Sequence, residues 1–152
     1  MMDPASKLKL GEADFTQGRS TFRDHADEPM EPTAKVYVPV RIGASESTVL
    51  AQLDTGAAWS VLDPVVARSL GLLNAGGLLT RLETRFGTQE GRLVRVPIQF
   101  VADHGTALHT EGTFFISPDW PPGRTFLGYS GLLDAMRFAI DPQANHFYFG
   151  PH

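Results

Sequence analysis

The sequence predicts an all-β fold built from antiparallel hairpins, with one or two short helices. Apolar and polar residues alternate in several segments after residue 34, which is the period of half-buried strands. Turns containing glycine, proline, asparagine or aspartate separate these segments at short intervals, as hairpins require. The chain has 152 residues, of which 42% are hydrophobic, and this is enough for one core. We therefore expect a single domain.

The N-terminal segment, residues 1–33, differs from the rest of the chain. It mixes charged residues and prolines with the isolated Phe15 and Phe22, and it has no sustained hydrophobic period. This composition predicts a flexible arm, followed by an ordered domain over residues 34–150. The two phenylalanines could dock on a partner subunit, although a disordered tail is the simpler interpretation.

A hairpin is expected to open the ordered domain. Every second residue from Val36 to Ile42 is a valine or isoleucine, and a second strand follows over residues 48–53. A short helix should come next, because Asp63 is a good N-cap, Pro64 suits the first helical position and Gly71 lies past the end. Asp63 is therefore interpreted as a cap and not as a functional acid.

The second half of the chain is expected to contain further hairpins. One joins a strand ending at Phe86 to a strand starting at Arg92, through a loop over residues 87–91. Another turns at residues 102–105, and a proline-rich loop over residues 117–123 follows. A strand, a glycine, a short helix and two more strands then complete the chain, with the final strand at residues 146–149.

The candidate functional motif is Leu53-Asp54-Thr55-Gly56-Ala57. It places a carboxylate at the end of an apolar run, followed by a small hydroxyl residue and a glycine. Such a strand ends in a tight turn that presents its acid outward. An ordinary turn closed by aspartate and glycine would have the same pattern.

This motif resembles the active-site turn of aspartic proteases. A short chain with a single copy of this motif resembles the retroviral-type, dimeric branch of the aspartic proteases, which are called retropepsin-like proteases. The resemblance implies a closed or folded β-barrel in which Asp54 is the catalytic acid. Thr55 would tie the turn to its twin in the second subunit, and Gly56, next to Ala57, would let the backbone approach the catalytic water.

The resemblance extends over residues 35–150. Between the turn and the second half of the sheet, the family has a flap, a glycine-bearing hairpin that closes over bound peptide. The flap residues implied here are Phe86, Gly87, Thr88, Gln89, Glu90 and Gly91. An apolar-apolar-glycine strand end then packs beside the catalytic turn in the family. The implied substrate pocket is lined by Ala58, Trp59, Leu127, Gly128 and Tyr129.

Two positions depart from the family pattern. Viral members carry an aspartate and an arginine that pair with each other, where this chain has Ala58 and Tyr129. Both partners are missing together, so no charge is left unpaired. The loss removes a contact that helps to hold the dimer and a polar contact to the substrate backbone.

The family mechanism requires a second copy of the chain. Two carboxylates about 3 Å apart share one proton, so that one activates water and the other polarises the peptide carbonyl. Because one chain offers one such acid, a twofold homodimer must bring Asp54 to face its copy. The final strand, residues 146–149, is a candidate for intersubunit sheet pairing, or else an ordinary edge strand within one subunit.

Composition excludes several other classes of function. A net charge of −4 and a pI near 5.7 predict neither nucleic-acid nor membrane binding. The chain has no cysteine, and its five histidines lack metal-ligand spacing, so neither a metal nor a cofactor is expected. We expect a cytoplasmic protein, since no apolar stretch has the length of an export signal or a membrane span.

The sequence thus predicts an aspartic endopeptidase that acts as a homodimer on peptide or protein substrates. The alternative is a dimeric binding module that keeps the fold but hydrolyses weakly or not at all. A third reading, which ranks lower, is a generic β-barrel in which the Asp54 turn is incidental.

Overall fold

The computed structural model describes residues 7–24, 35–84 and 87–152. It confirms an all-β fold. The strands are β1 (Lys9–Leu10), β2 (Ala13–Asp14), β3 (Gly18–Thr21), β4 (Val36–Ile42), β5 (Val49–Leu53), β6 (Ser60–Val61), β7 (Leu78–Thr84), β8 (Gly87–Phe100), β9 (His104–Gly105), β10 (Leu108–Ile116), β11 (Thr125–Leu127), β12 (Met136–Asp141) and β13 (His146–Pro151). Helix α1 comprises Pro64–Ser69, and a 3-10 helix comprises Leu133–Ala135.

A ring of paired strands closes into a barrel. β4 pairs with β5, β5 with β11, β11 with β6, β6 with β10, β10 with β8, and β8 returns to β4. The β5–β11 and β6–β10 pairs are parallel, and the others are antiparallel. Alternate side chains of each strand face inward and fill the interior. The core includes Val38, Val40, Ala51, Val96, Ile98, Phe100, Phe114 and Leu127.

A second sheet packs against the barrel, in the order β12–β13–β3–β9. Its β13 contributes Phe147 and Phe149, whose rings lie 6.0 and 5.9 Å from the ring of Phe100 in the barrel. All three side chains are buried. The two sheets therefore share one hydrophobic core, as expected for a single domain.

The prediction of a flexible arm over residues 1–33 is wrong for residues 7–24. Within this segment β3 pairs with both β13 and β9, and the Gln17 N–H donates to the Phe149 carbonyl at 2.9 Å. Phe22 is buried in the core, together with the nearby Thr16 and Ser20. A strand as short and polar as β3 gives no hydrophobic period, and its partners lie far away in sequence. The remainder of the predicted arm lies outside the described residues.

The final strand is neither an edge strand nor open to a second subunit. β13 lies between β12 and β3 of the same chain, pairing on both sides. Both interpretations of residues 146–149 are therefore wrong. The error follows from the missed strand β3, which occupies the edge that a partner would need.

The predicted loop over residues 87–91 is also wrong, because β8 begins at Gly87. These residues pair with β7, from Thr84 opposite Gly87 to Thr80 opposite Gly91. Phe86, the first residue of the predicted flap, lies outside the described residues. β10 pairs with β8 only from Arg92 onward, so the β7–β8 hairpin extends beyond the barrel as a two-stranded ribbon.

The glycine that ends the predicted loop has a packing role. A Cβ atom at Gly91 would lie 2.6 Å from the Phe115 ring and 2.6 Å from the Ile116 carbonyl oxygen. Only glycine leaves room for the buried Phe115 side chain to cross β8 at this point. The sequence predicts a loop glycine at this position, whereas the structure shows a close approach between strands.

The helix prediction is confirmed. The Val65 N–H donates to Asp63 Oδ1 at 3.0 Å, so Asp63 is the N-cap, and Pro64 occupies the first turn. Gly71 follows the helix with a φ of 70°, a left-handed conformation that suits glycine. Neither helix that the structure describes is long and apolar enough to cross a membrane.

The buried hydroxyl of Tyr37 generates a prediction about stability. Tyr37 is 5% exposed, and its Oη atom has no hydrogen-bond partner among the residues that the structure describes. An unsatisfied buried polar group costs about 1–3 kcal/mol, so Tyr37→Phe should raise the free energy of unfolding by about 1 kcal/mol. Urea denaturation measures this change. Tyr148→Phe is the control, since Tyr148 Oη lies 3.5 Å from His146 Nδ1 and its loss should not stabilise the fold.

Candidate active site

Asp54 directly follows β5 and begins a tight turn. The Ala57 N–H donates to the Asp54 carbonyl at 3.2 Å, which closes the turn. The Gly56 N–H donates to Asp54 Oδ1 at 3.1 Å, so one carboxylate oxygen is anchored. Asp54 is half-buried, whereas Thr55 and Gly56 are exposed. The turn thus presents a carboxylate of fixed orientation at the protein surface.

Strand β11 holds this turn in place. The turn connects β5 to β6, but these strands do not pair with each other, because β11 lies between them and pairs with both. The Asp54 N–H donates to the Leu127 carbonyl at 2.9 Å, which continues the β5–β11 pairing into the turn. The chain from β5 to β6 therefore has to pass across the end of β11.

Gly128 makes this crossing possible. A Cβ atom there would lie 2.3 Å from the Trp59 carbonyl carbon and 2.6 Å from the Ser60 nitrogen. The Gly128 N–H donates to Ser60 Oγ at 2.8 Å in a buried environment. Without this acceptor, a buried N–H would be left unsatisfied. Ser60 is thus a residue of the site that sequence reasoning missed, since a serine in a short apolar strand gave no signal.

Backbone hydrogen bonds connect the turn at Ala57 and Ala58 to the segment at Tyr129 and Ser130. The Tyr129 N–H donates to the Ala57 carbonyl and the Ser130 N–H to the Ala58 carbonyl, each at 2.8 Å. Trp59 and Ser130 form an adjacent parallel bridge. The Asp54 turn and the segment after β11 are therefore joined without an ion pair between Ala58 and Tyr129.

The 3-10 helix supports the same segment from the other side. The Leu133 N–H donates to the Gly128 carbonyl at 3.3 Å, and the Asp134 N–H donates to the Tyr129 carbonyl at 3.0 Å. Asp134 also accepts a hydrogen bond from the Gly131 N–H at 3.1 Å. This carboxylate is a local structural group, as the sequence position in a short helix predicts.

Arg95 on β8 connects this segment to the barrel. Its Nη1 donates to Thr113 Oγ1 and to the Gly131 carbonyl, each at 3.0 Å. Its Nη2 lies 3.6 Å from the Glu111 carboxylate, but both side chains are more than half exposed, so solvent screens the ion pair. Arg95 and Gly131 are 36 residues apart, so no local pattern of residues predicts this contact.

The predicted pocket residues divide into two groups. Ala58 and Tyr129 are exposed and Trp59 is half-buried, so all three lie at the surface beside the turn. Leu127 is 0% exposed and belongs to the hydrophobic core, so its assignment to a substrate pocket is wrong. β11 has a barrel strand on each side, and successive side chains along it point to opposite faces. Leu127 therefore faces inward and the half-buried Phe126 faces outward. Gly128 is buried and contributes backbone only.

Five other aspartates of the described chain have partners outside the Asp54 turn. The part of the chain that the structure describes contains no group of three or more residues able to hold a metal ion. The carboxylates of Asp14, Asp63, Asp103, Asp134 and Asp141 bind Lys7 or backbone N–H groups elsewhere. By contrast, the Thr55 hydroxyl has no hydrogen-bond partner among the described residues.

No protein-family model matches this chain, and no curated protein matches its sequence significantly. Support for a function therefore comes from the geometry of the Asp54 turn and from the motif that this turn carries.

The close contact at Gly128 generates a prediction about the site. Gly128→Ala should lower the free energy of unfolding by about 1–3 kcal/mol, the range for overpacking, because its methyl group would meet the Trp59 and Ser60 backbone. Thermal unfolding measures this loss. Gly76→Ala is the control, since no atom lies within 4 Å of a Cβ there. Equal effects of the two substitutions would contradict the described crossing.

Proposed function

We propose that this protein is an aspartic endopeptidase whose active site forms when two copies bring their Asp54 carboxylates together. The observation that carries this proposal is the Asp54 turn itself. It presents one anchored carboxylate at the surface, next to an exposed threonine whose hydroxyl has no partner in the described chain.

The chemistry of peptide hydrolysis explains why two copies are needed. An ionised Asp54 takes a proton from water, whose oxygen attacks the peptide carbonyl carbon. A protonated Asp54 from the second copy donates a hydrogen bond to the carbonyl oxygen. The tetrahedral intermediate then breaks its C–N bond as the leaving nitrogen takes a proton from the carboxyl pair. Two carboxylates at close range share one proton because both cannot be ionised, so one supplies each role. In the described chain, the Asp54 carboxylate has the Gly56 N–H as a hydrogen-bond partner and no second carboxylate.

The Thr55 hydroxyl supports the same assembly. It sits at the exposed tip of the turn, where a twofold axis through the Asp54 pair would bring the two turns into contact. There it would donate to a backbone carbonyl of the partner. Ala58 and Tyr129, also exposed, would lie beside this contact and offer an uncharged surface.

A second candidate is a dimeric binding module with the same fold and little or no hydrolysis. The observation that favours it is the pair Ala58 and Tyr129, which cannot provide the polar contact to the substrate backbone that the family's charged pair provides. The cytoplasmic location expected from the sequence stays a prediction under either candidate.

The role of Asp54 is tested by Asp54→Asn. The amide fills the same space but cannot take a proton from water, so cleavage of a denatured protein substrate should fall to the level of the blank. The measurement is the appearance of cleavage products at acid and neutral pH. Asp63→Asn is the control, because asparagine is an equally good N-cap and activity should be retained. Cleavage that survives Asp54→Asn would remove the protease assignment.

The shared site is tested by mixing subunits. Wild-type protein that exchanges subunits with an excess of Asp54→Asn protein should lose activity beyond simple dilution, because mixed dimers carry one carboxylate. The comparison is the same mixture measured before exchange. Activity that stays proportional to wild-type content after exchange would mean that each chain works alone.

A further inference from the structure

Strand β12 has an open edge. It pairs with β13 over its whole length, Met136–Asp141, and no strand of the described chain pairs with its other side. Alternate N–H and C=O groups along this side therefore lack a strand partner. Ile140 is 37% exposed at this edge. An open edge of this length is a template for pairing with another strand.

The sequence of β12 is complementary to itself in the antiparallel direction. If two copies pair around a twofold axis at Ala139, Arg137 of each copy lies opposite Asp141 of the other. On the opposite face of the sheet, Phe138 lies opposite Ile140. Directly opposed residues of antiparallel strands share a face, and opposite charges or apolar pairs there are stabilising.

The two charged side chains are available for this contact. The Arg137 guanidinium lies 5.2 Å from the centre of the Phe15 ring, and no carboxylate of the described chain pairs with it. Asp141 Oδ1 accepts hydrogen bonds from the Gln143 and Ala144 N–H groups, so the Oδ2 atom is left for a contact with a second copy. Within the described part of the chain, neither charge has an oppositely charged partner, and a second copy would supply one to each.

Other registers lose this complementarity. An axis at Phe138 would place Arg137 opposite Ala139, and an axis at Ile140 would place Ala139 opposite Asp141.

The other long open edge of the described chain, on β7, is less suitable, because an axis at its central residue would place Arg81 opposite Arg81. Like charges directly opposite each other destabilise a strand pair.

The β12 edge also begins close to the candidate active site. Met136 follows the 3-10 helix whose Leu133 and Asp134 N–H groups donate to the carbonyls of Gly128 and Tyr129. A second copy bound at β12 is therefore connected to the Asp54 turn through a short, hydrogen-bonded segment.

We propose that two copies of this protein pair through β12, antiparallel and centred on Ala139, with Arg137–Asp141 pairs on both sides of the axis. The β12–β13–β3–β9 sheets of the two copies then form one continuous sheet across the dimer. The choice of a second copy as the occupant rests on the proposed function, which needs a second Asp54, and it requires that the one twofold axis of the dimer pass both Ala139 and the Asp54 turn.

Cysteine cross-linking tests the register, because the natural chain has no cysteine. Opposed Cα atoms in antiparallel strands lie about 4.5–5.5 Å apart. This separation is within the disulfide range of about 4.4–6.8 Å. Ala139→Cys should therefore give a covalent dimer under mild oxidation. Ala144→Cys, an exposed position in the turn after β12, should not, and Arg81→Cys reports pairing through β7. Cross-linking at residue 81 but not at 139 overturns the proposal.

Charge reversal tests the ion pairs without cysteine. Arg137→Asp and Asp141→Arg each place like charges opposite one another twice per dimer, and each should raise the dimer dissociation constant about tenfold. The double variant Arg137→Asp/Asp141→Arg restores opposite charges and should recover the wild-type constant. Sedimentation measures the constants, and Arg81→Asp should leave them unchanged. Failure of the double variant to recover dimerisation overturns the pairing.

The outcomes separate this inference from the proposed protease activity. A dimer cross-linked at residue 139 that cleaves no substrate supports the β12 interface and counts against the protease. An active dimer that neither cross-links at residue 139 nor responds to charge reversal keeps the protease and overturns the interface. A protein that stays monomeric at all concentrations overturns the interface.

Discussion

The insertion of β11 between β5 and β6 is the constraint on which the rest of this structure depends. Those strands are joined by the Asp54 turn, so pairing both of them with β11 makes the turn cross the strand end. The crossing needs a residue without a side chain at Gly128 and an acceptor for its buried N–H, which Ser60 provides. The same pairings close the barrel and set the orientation of the Asp54 carboxylate.

Local features of this fold follow from sequence, and long-range ones do not. The Asp63 cap, the strand alternation before Asp54 and the turn itself are decided by neighbouring residues, and these were predictable. β3 was missed because four polar or small residues gain their stability from β13, far away in the chain. Leu127 was misplaced for a related reason: which face of a strand is inward depends on its partners.

Hydrogen bonds between backbone groups hold the candidate site where the resembling proteases use a charged pair. The bonds from Tyr129 and Ser130 to Ala57 and Ala58 carry no net charge. Salt screens ion pairs at a surface but has little effect on such bonds, and neither group changes protonation with pH. The link between the turn and the segment after β11 therefore depends little on ionic strength and acidity, so a dependence of activity on these conditions would come from the carboxylates, including Asp54 and its bond to the Gly56 N–H.

The pairing of β3 with β13 has a consequence for biosynthesis. Gly18–Thr21 leave the ribosome long before their ladder partners, residues 146–149, and β11 likewise follows the Asp54 turn by many residues. Contacts of such high sequence separation make folding slow, since long loops must close first. The second sheet cannot be completed before β13 has been synthesised, nor the Asp54 turn before β11. The Asp54 carboxylate therefore reaches its native orientation only after a strand that lies far beyond it in the chain has been made.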